Sequence, residues 1–313
     1  MDSVGKILVI GSLGMDFIAY VDEVPAEGRT VLANRSERIP GGEGANQAYA
    51  AGRLGAEVAM IGAVGDDESG RELIENLNRA NVNTDAVSQI AGAPTGYSHI
   101  SVNWREGKRT IVVSGANSLL TPAIINKHIQ LLDECDIVLL QLDIPIETVC
   151  YAAKLANERG KTVILNPTPA MSGLPLKLYR SVDIITPDKR ELETLTVIKT
   201  DTMNDMQIAA QALLDLGVKA VVVTAGSWGA VLATCAGLTD FPAEDVKVVD
   251  STAARDRFTA ALAHSLSKGS DIEQAIRTAN EVSTVIVTRG GAQSYIPTMD
   301  EVEILRQGRL GAV

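Results

Sequence analysis

Apolar residues along the chain fall into short unbroken runs, each followed by a stretch in which they recur every three or four positions. KILVIG opens the series at Lys6, and EVAMIGAVG (57–65) leads into ESGRELIENLNRAN. DIVLLQLDIP (136–145) leads into IETVCYAAKLANERG, with KTVILNPTP (161–169) and VDIITPDKRELETL (182–195) after it. KAVVVTAG (219–226) follows the helical NDMQIAAQALLDLG. Strands that are apolar throughout are covered on both faces, and strands separated by helices pair in parallel. The pattern predicts an α/β fold with a doubly wound, mainly parallel sheet flanked by helices.

Two regions break this rhythm. DFIAYVDEV (16–24) and TVLANRSERIP (30–40) stand between the first strand and the first helix. GYSHISVNW, the turn REGK and RTIVVSG (96–115) form the second group. There Ile100, Val102 and Trp104 alternate with His99, Ser101 and Asn103, the period of a half-buried antiparallel hairpin. The expectation is one domain over 1–313 carrying a small β-sheet lid from about 15–40 and 95–115. The edge of such a sheet needs covering, which points to a ligand beneath it or a homodimer contact.

Composition narrows the partners. With 313 residues and 46% apolar positions the chain can bury a sizeable core, and with 4% aromatics that core is aliphatic. Lys and Arg number 28 against 39 Asp and Glu, a net charge of −11. That surface repels nucleic acid and anionic lipid, which leaves a small molecule as the expected ligand. Cys135, Cys150 and Cys235 are widely separated and odd in number, as expected of a chain kept in a reducing cytoplasm. No apolar run approaches the ~18 residues of a membrane span.

Several stretches carry chemistry. In TAARDRFTAALAHSL, Phe258, Ala261, Leu262 and Leu266 follow helical spacing, so a helix begins near Ala254, with Ser251 or Thr252 as its cap. A helix N-terminus attracts an anion. Asp256 there either complements the dipole or takes a proton as a general base. In IPGGEGANQAYAAGRLG, Gly41, Gly42 and Gly44 precede a helix with Asn46 in its first turn. This is either an ordinary glycine turn or a close backbone approach to a polyhydroxyl ligand, with the Asn amide bonding hydroxyls. Thr224, Gly226 and Gly229 in VVVTAGSWGAVLAT make a hairpin turn or the floor of a nucleotide site. Asp188 and Glu191 share one helical face; they form a capping arrangement or hold a hydrated Mg²⁺ near phosphates. Gly11 and Gly14 in VIGSLGMD lack dinucleotide-fingerprint spacing, and β-like residues follow them, which argues against an NAD site.

In this order the stretches resemble the ribokinase-like (PfkB) family of carbohydrate kinases over essentially the whole chain. Gly41-Gly42-x-Gly44-Ala45-Asn46-Gln47-Ala48 is similar to the family's sugar-side signature, and Asp250-Ser-Thr-Ala-Ala-x-Asp256 to its phosphate-side signature. SGANSLLTP, LQLDIPIE, LNPTPA and TRGGAQ are similar to further ribokinase segments. The resemblance implies transfer of the ATP γ-phosphate to a primary hydroxyl of a ribose-like pentose or related sugar. It makes Asp256 the base, with the helix N-terminus around Ala254 holding the phosphoryl charge. It sets Asp16, Gly42, Asn46 and Asp143 against the sugar, and Thr224, Gly226, Ser227, Gly229 and Asn280 against the nucleotide. Glu191 matches the acidic end of an N-x-x-E motif for Mg²⁺, with Asp188 in place of the Asn. Asp250, Thr252 and Gly291 fall in loops for K⁺ or another monovalent cation, although Tyr295 stands where a Ser is frequent.

The chain departs from that pattern at ligand-facing positions. Arg255 replaces a Gly and Arg257 a Thr beside the base; Gly14 stands for a sugar-binding Asn and Glu43 for a Lys. Arg255 either swings out to hold the transferring phosphoryl, or pairs with Asp256 and blocks the anion hole. Two alternatives to a working sugar kinase follow: a non-catalytic sugar- or nucleotide-binding pseudokinase, and a nucleoside kinase.

Overall fold

The computed structural model describes residues 5–103, 107–246, 254–288 and 296–306. The described strands in chain order begin β1 (Lys6–Ile10), β2 (Gly14–Tyr20), β3 (Arg35–Gly41), β4 (Glu57–Gly65), β5 (Val82–Ile90), β6 (Gly96–Asn103) and β7 (Gly107–Val113). They continue β8 (Ile137–Leu140), β9 (Thr162–Leu165), β10 (Ile184–Ile185), β11 (Ala220–Thr224), β12 (Ala230–Thr234) and β13 (Gly237–Phe241).

Nine of them form one sheet in the order β13-β12-β11-β10-β9-β8-β1-β4-β5. The apolar runs of the sequence are its parallel strands, from β5 across to β11. Only β12 and β13, joined by short turns, add antiparallel edges. Alternation along β1 shows why both faces are apolar. Ile7 and Val9 pack with the helices Glu43–Arg53, Glu68–Arg79, Ala254–Ser267 and Ile272–Val287. Leu8 and Ile10 pack with Ile146–Glu158, Lys189–Thr196 and Met203–Asp215 on the other face. Fully burying each such side chain stabilises the fold by about 1.5–3 kcal/mol. Among the described residues no helix is long and apolar enough to cross a membrane.

The expected small sheet is present as β3-β2-β6-β7. β6 and β7 pair antiparallel from Tyr97↔Val113 to Asn103↔Gly107, the predicted hairpin. Its alternation is less regular than expected. Asn103 is buried, because its amide donates to the carbonyls of Val21 and Asp22, while the expected core residue Trp104 lies outside the described residues.

Strand order fixes where a ligand can sit. β1 has β4 on one side and β8 on the other, and the chain leaves β1 toward β4 and returns later through β8. In a doubly wound sheet the crevice opens at the carboxyl ends of strands where the order reverses in this way. Those ends carry Gly11 and Ser12 after β1, and Gln141 and Asp143 after β8. Of the two glycines of the rejected dinucleotide fingerprint, Gly11 has a packing reason here and Gly14 has none. A Cβ on Gly11 would collide with the Gln141 amide, and a Cβ on Gly44 would lie 2.8 Å from the Gly11 backbone.

Candidate active site

The crevice holds two cavities separated by one turn of helix. The first, of about 970 Å³, lies between the small sheet and the carboxyl ends of β1 and β8. The second, of about 690 Å³, lies beside the β11–β12 turn and the Ile272–Val287 helix.

The Ala254–Ser267 helix supplies the partition. It is helical from the first described residue, Ala254, in line with the helical spacing of Phe258, Ala261 and Leu262, and it is buried almost all round because its alanines allow close packing against Glu43–Arg53 and Ile272–Val287. Its first turn presents Ala254 to the second cavity, Asp256 to the first and Arg255 to both. The candidate caps Ser251 and Thr252, and the cation-loop candidates Asp250, Thr252 and Gly291, lie outside the described residues.

Asp256 is 3% exposed, and each of its oxygens is held by an amide. Asn46 Nδ2 donates to Oδ2 at 3.1 Å and Gln47 Nε2 to Oδ1 at 3.1 Å. Gln47 is oriented in turn by Gln141, whose Nε2 donates to Gln47 Oε1 at 2.7 Å. With its carbonyl occupied, the Gln47 amide can only present N–H to the carboxylate. The sequence reading gave no role to Gln47 or Gln141. A glutamine inside the apolar run LLQLDIP was the available signal, since a fully buried amide demands a partner.

The other sugar-side candidates converge on the first cavity. Gly14, Asp16, Gly42, Glu43, Asn46 and Asp143 all line it. Gly41 does not, but it lies against the Asp16 carboxylate, where a Cβ would come within 2.6 Å of Oδ2. Gly42 is the N-cap of its helix at φ 93°, a conformation that favours glycine. Ser98 Oγ donates to Asp16 and Ser12 Oγ to Asp143, two further contacts the sequence did not reveal.

Charge is concentrated here. Burial raises Asp16 above the usual carboxylate range, against the Ser98 hydrogen bond. It pushes Glu43 well above that range, and the adjacent Asp256 carboxylate adds to the effect. It pushes Asp143 up to about 6, although the Ser12 hydrogen bond opposes it. Asp143 Oδ1 is buried and accepts no hydrogen bond among the described residues, so it has capacity for a hydroxyl donor.

Thr224, Gly226, Ser227, Gly229, Asn280 and Asp188 all line the second cavity. The turn at Gly226–Trp228 is a hairpin connection and a cavity wall at once, so the two readings of that stretch coexist. The hydroxyls of Thr224 and Ser283 are buried there with no hydrogen-bond partner among the described residues. Asn280 Nδ2 donates to the Phe241 carbonyl at 3.2 Å.

Arg255 does not pair with Asp256. Its Nη1 donates to Asp188 Oδ2 at 2.9 Å and to Glu191 Oε1. Asp188 and Glu191 also form a capping box: Glu191 N donates to Asp188 Oδ1 at 2.7 Å, and Asp188 N to Glu191 Oε2 at 2.8 Å. Thr168 Oγ1 adds a 2.5 Å bond to Glu191 Oε1. All four carboxylate oxygens are therefore engaged, and a guanidinium stands between the acids. A Mg²⁺ ion keeps a near-octahedral shell of waters and oxygens. The Mg²⁺ expected at Asp188 and Glu191 does not fit this arrangement. Glu191 lines neither cavity, and burial raises its carboxyl above the usual range despite Arg255. Arg257 is buried and lines neither cavity, so it obstructs neither.

Comparison with known proteins agrees with this geometry. Residues 4–299 match the model of the pfkB family carbohydrate kinases. A ribokinase of Bacillus subtilis is 38% identical over 96% of this chain and 99% of its own. A deoxyribokinase of Salmonella typhi is 35% identical over 94% of this chain and 96% of its own. The solved structure of Arabidopsis thaliana ribokinase complexed with ribose and ATP superposes with a TM-score of 0.88 at 29% identity, covering 96% of this chain and 98% of that one. The chain belongs to the pfkB family of carbohydrate kinases, which are phosphotransferases with an alcohol acceptor.

Asp143 links this site to stability. In the folded chain it holds its proton to about pH 6, against 3.8 for an unperturbed aspartate. Folding therefore takes up a proton between those values, and stability falls as pH rises through them. The loss is complete above pH 6 and amounts to roughly 2–3 kcal/mol. Asp143→Asn removes it. Urea denaturation of the ligand-free protein is expected to show the variant more stable than the parent at pH 8 and equal to it near pH 4, with weaker sugar binding. Equal stability at both pH values would contradict the burial argument.

Proposed function

We propose that this chain transfers the γ-phosphoryl group of ATP to a primary hydroxyl of a pentose or closely related sugar, with Asp256 as the general base. The observation that carries the reading is the helical turn in which Ala254, Arg255 and Asp256 face the second cavity, both cavities and the first in succession. Among the described residues, a sugar in the first cavity and a nucleotide in the second would meet across that turn.

The roles follow from the geometry. Asn46 and Gln47 fix the Asp256 carboxylate so that it receives a hydroxyl proton without rearranging. The backbone N–H groups opening the helix, together with its dipole, face developing phosphoryl charge. Asp16 and Asp143 accept from sugar hydroxyls, Asp143 through its unpartnered Oδ1. Thr224 and Ser283 offer their hydroxyls to the nucleotide. The small sheet over the first cavity acts as the lid, excluding water that would otherwise compete as acceptor. The relatives named ribokinase and deoxyribokinase support a pentose. Glu43 in the first cavity, and Gly14 without a side chain there, support a site altered from the ribose form.

A second reading has its own observation. The ion pairs of Arg255 with Asp188 and Glu191 stand at the passage between the cavities. A protein closed there binds sugar or nucleotide without turnover, as a pseudokinase.

We also propose that a second copy of the chain covers the small sheet. Its edge strand β7 is unpaired on one side and leaves Ile111 69% exposed on the face away from Val112, which borders the first cavity. In sedimentation the protein is expected as a dimer and Ile111→Lys as a monomer; a monomeric parent would contradict the pairing.

Activity separates the two catalytic readings. Sugar-dependent ADP release, measured with a panel of pentoses, hexoses and nucleosides, is expected for the unaltered protein. Asp256→Asn is expected to lose about 10²–10⁴-fold while keeping its fold. Turnover only after Arg255→Gly with Arg257→Thr would establish the pseudokinase reading, and preference for a nucleoside would move the acceptor class.

A further inference from the structure

The resemblance makes Asp188 and Glu191 the expected place for Mg²⁺ beside a nucleotide, and in this chain the pair is already ion-paired from within by Arg255. Arg255 reaches it across separations of 67 and 64 residues in sequence. Two positions at which the chain departs from the pattern it resembles, Asp188 and Arg255, touch each other at 2.9 Å. The added negative charge and the added positive charge form one pair.

We infer that Arg255 takes over the place and the charge of a protein-held divalent cation, so that this protein accepts a nucleoside triphosphate free of divalent metal. The inference rests on the reading of the second cavity as a nucleotide site. Three observations support it. The guanidinium borders both cavities, and the Arg255 side chain is 42% exposed, so it is not sealed behind the acids. Both ion pairs leave from Nη1, while a guanidinium carries five N–H donors in a fixed fork; Nη2 and Nε can meet phosphate oxygens with the carboxylates still engaged. The Glu191 carboxylate accepts from two further donors, Thr168 Oγ1 and the Asp188 backbone N–H, and Asp188 Oδ1 accepts from the Glu191 backbone N–H, so the carboxylates cannot easily turn toward an incoming metal ion. Free ATP carries more negative charge than its metal complex, and a fixed guanidinium favours the more highly charged form.

Isothermal titration with ATP, once in EDTA and once in excess Mg²⁺, tests this on the whole chain. The unaltered protein is expected to bind ATP in EDTA at least as tightly as in Mg²⁺. Arg255→Gly is expected to weaken binding in EDTA by about 10–100-fold, the loss of a charge-assisted hydrogen bond to phosphate. In Mg²⁺ that variant is expected to recover, because the freed carboxylates then accept the ion. Arg255→Lys keeps the charge and is expected to retain metal-free binding. Thermal unfolding of each variant checks that it is folded. Binding by the unaltered protein only in Mg²⁺ would overturn the inference while leaving the nucleotide site standing. Absence of ATP binding in both buffers would overturn the nucleotide site, and the inference with it.

Discussion

Asp256 is a buried carboxylate whose two oxygens are held by two amides, and the rest of the site depends on that arrangement. A buried anion is tolerated when hydrogen-bond donors and a helix dipole replace the lost water. Here the donors come from one helix, Glu43–Arg53, and the dipole from another, Ala254–Ser267. Gln141, just past the end of β8, locks the Gln47 amide. Three segments remote in sequence must therefore meet at one point, and strand order brings them there. With β1 flanked by β4 and β8, the Glu43–Arg53 helix and the end of β8 necessarily border the same crevice.

Arg255 divides the surrounding acids into two groups. Asp188 and Glu191 share its guanidinium, and Asp188 borders the second cavity. Asp16, Glu43 and Asp143 border the first cavity, where burial raises all three. Arg255 is engaged with Asp188 and Glu191 and leaves Asp256 to its two amides and the neighbouring Glu43 carboxyl; under the proposed reading the guanidinium does not compete for the acceptor hydroxyl. That engagement also explains how a long cationic side chain is accommodated at a helix N-terminus, where the dipole alone disfavours it. The neighbouring carboxylates offset that cost.

The strands were legible because unbroken apolar runs such as LLQL and AVVVT have one solution, burial on both faces of a parallel sheet. The helix at Ala254 and the capping box at Asp188 and Glu191 were legible because their determinants lie within one turn of sequence. The partner of Arg255 was not. From sequence its neighbour Asp256 was an equally good acid, and only the helical geometry, which sends adjacent side chains in different directions, separates them. The Gln47–Gln141 relay was hidden for a related reason. Each glutamine is unremarked in its own segment, and their pairing across 94 residues exists only once β8 lies beside β1.

The most direct test of the central claim is a crystal structure with ribose and a non-hydrolysable ATP analogue bound together. The account predicts the primary hydroxyl of the sugar within about 2.6–3.2 Å of the Asp256 carboxylate. It also predicts the terminal phosphorus of the analogue on the opposite side of that hydroxyl, against the first turn of the helix. A sugar bound with every hydroxyl out of reach of Asp256, or a nucleotide whose terminal phosphate points away from that turn, would contradict it.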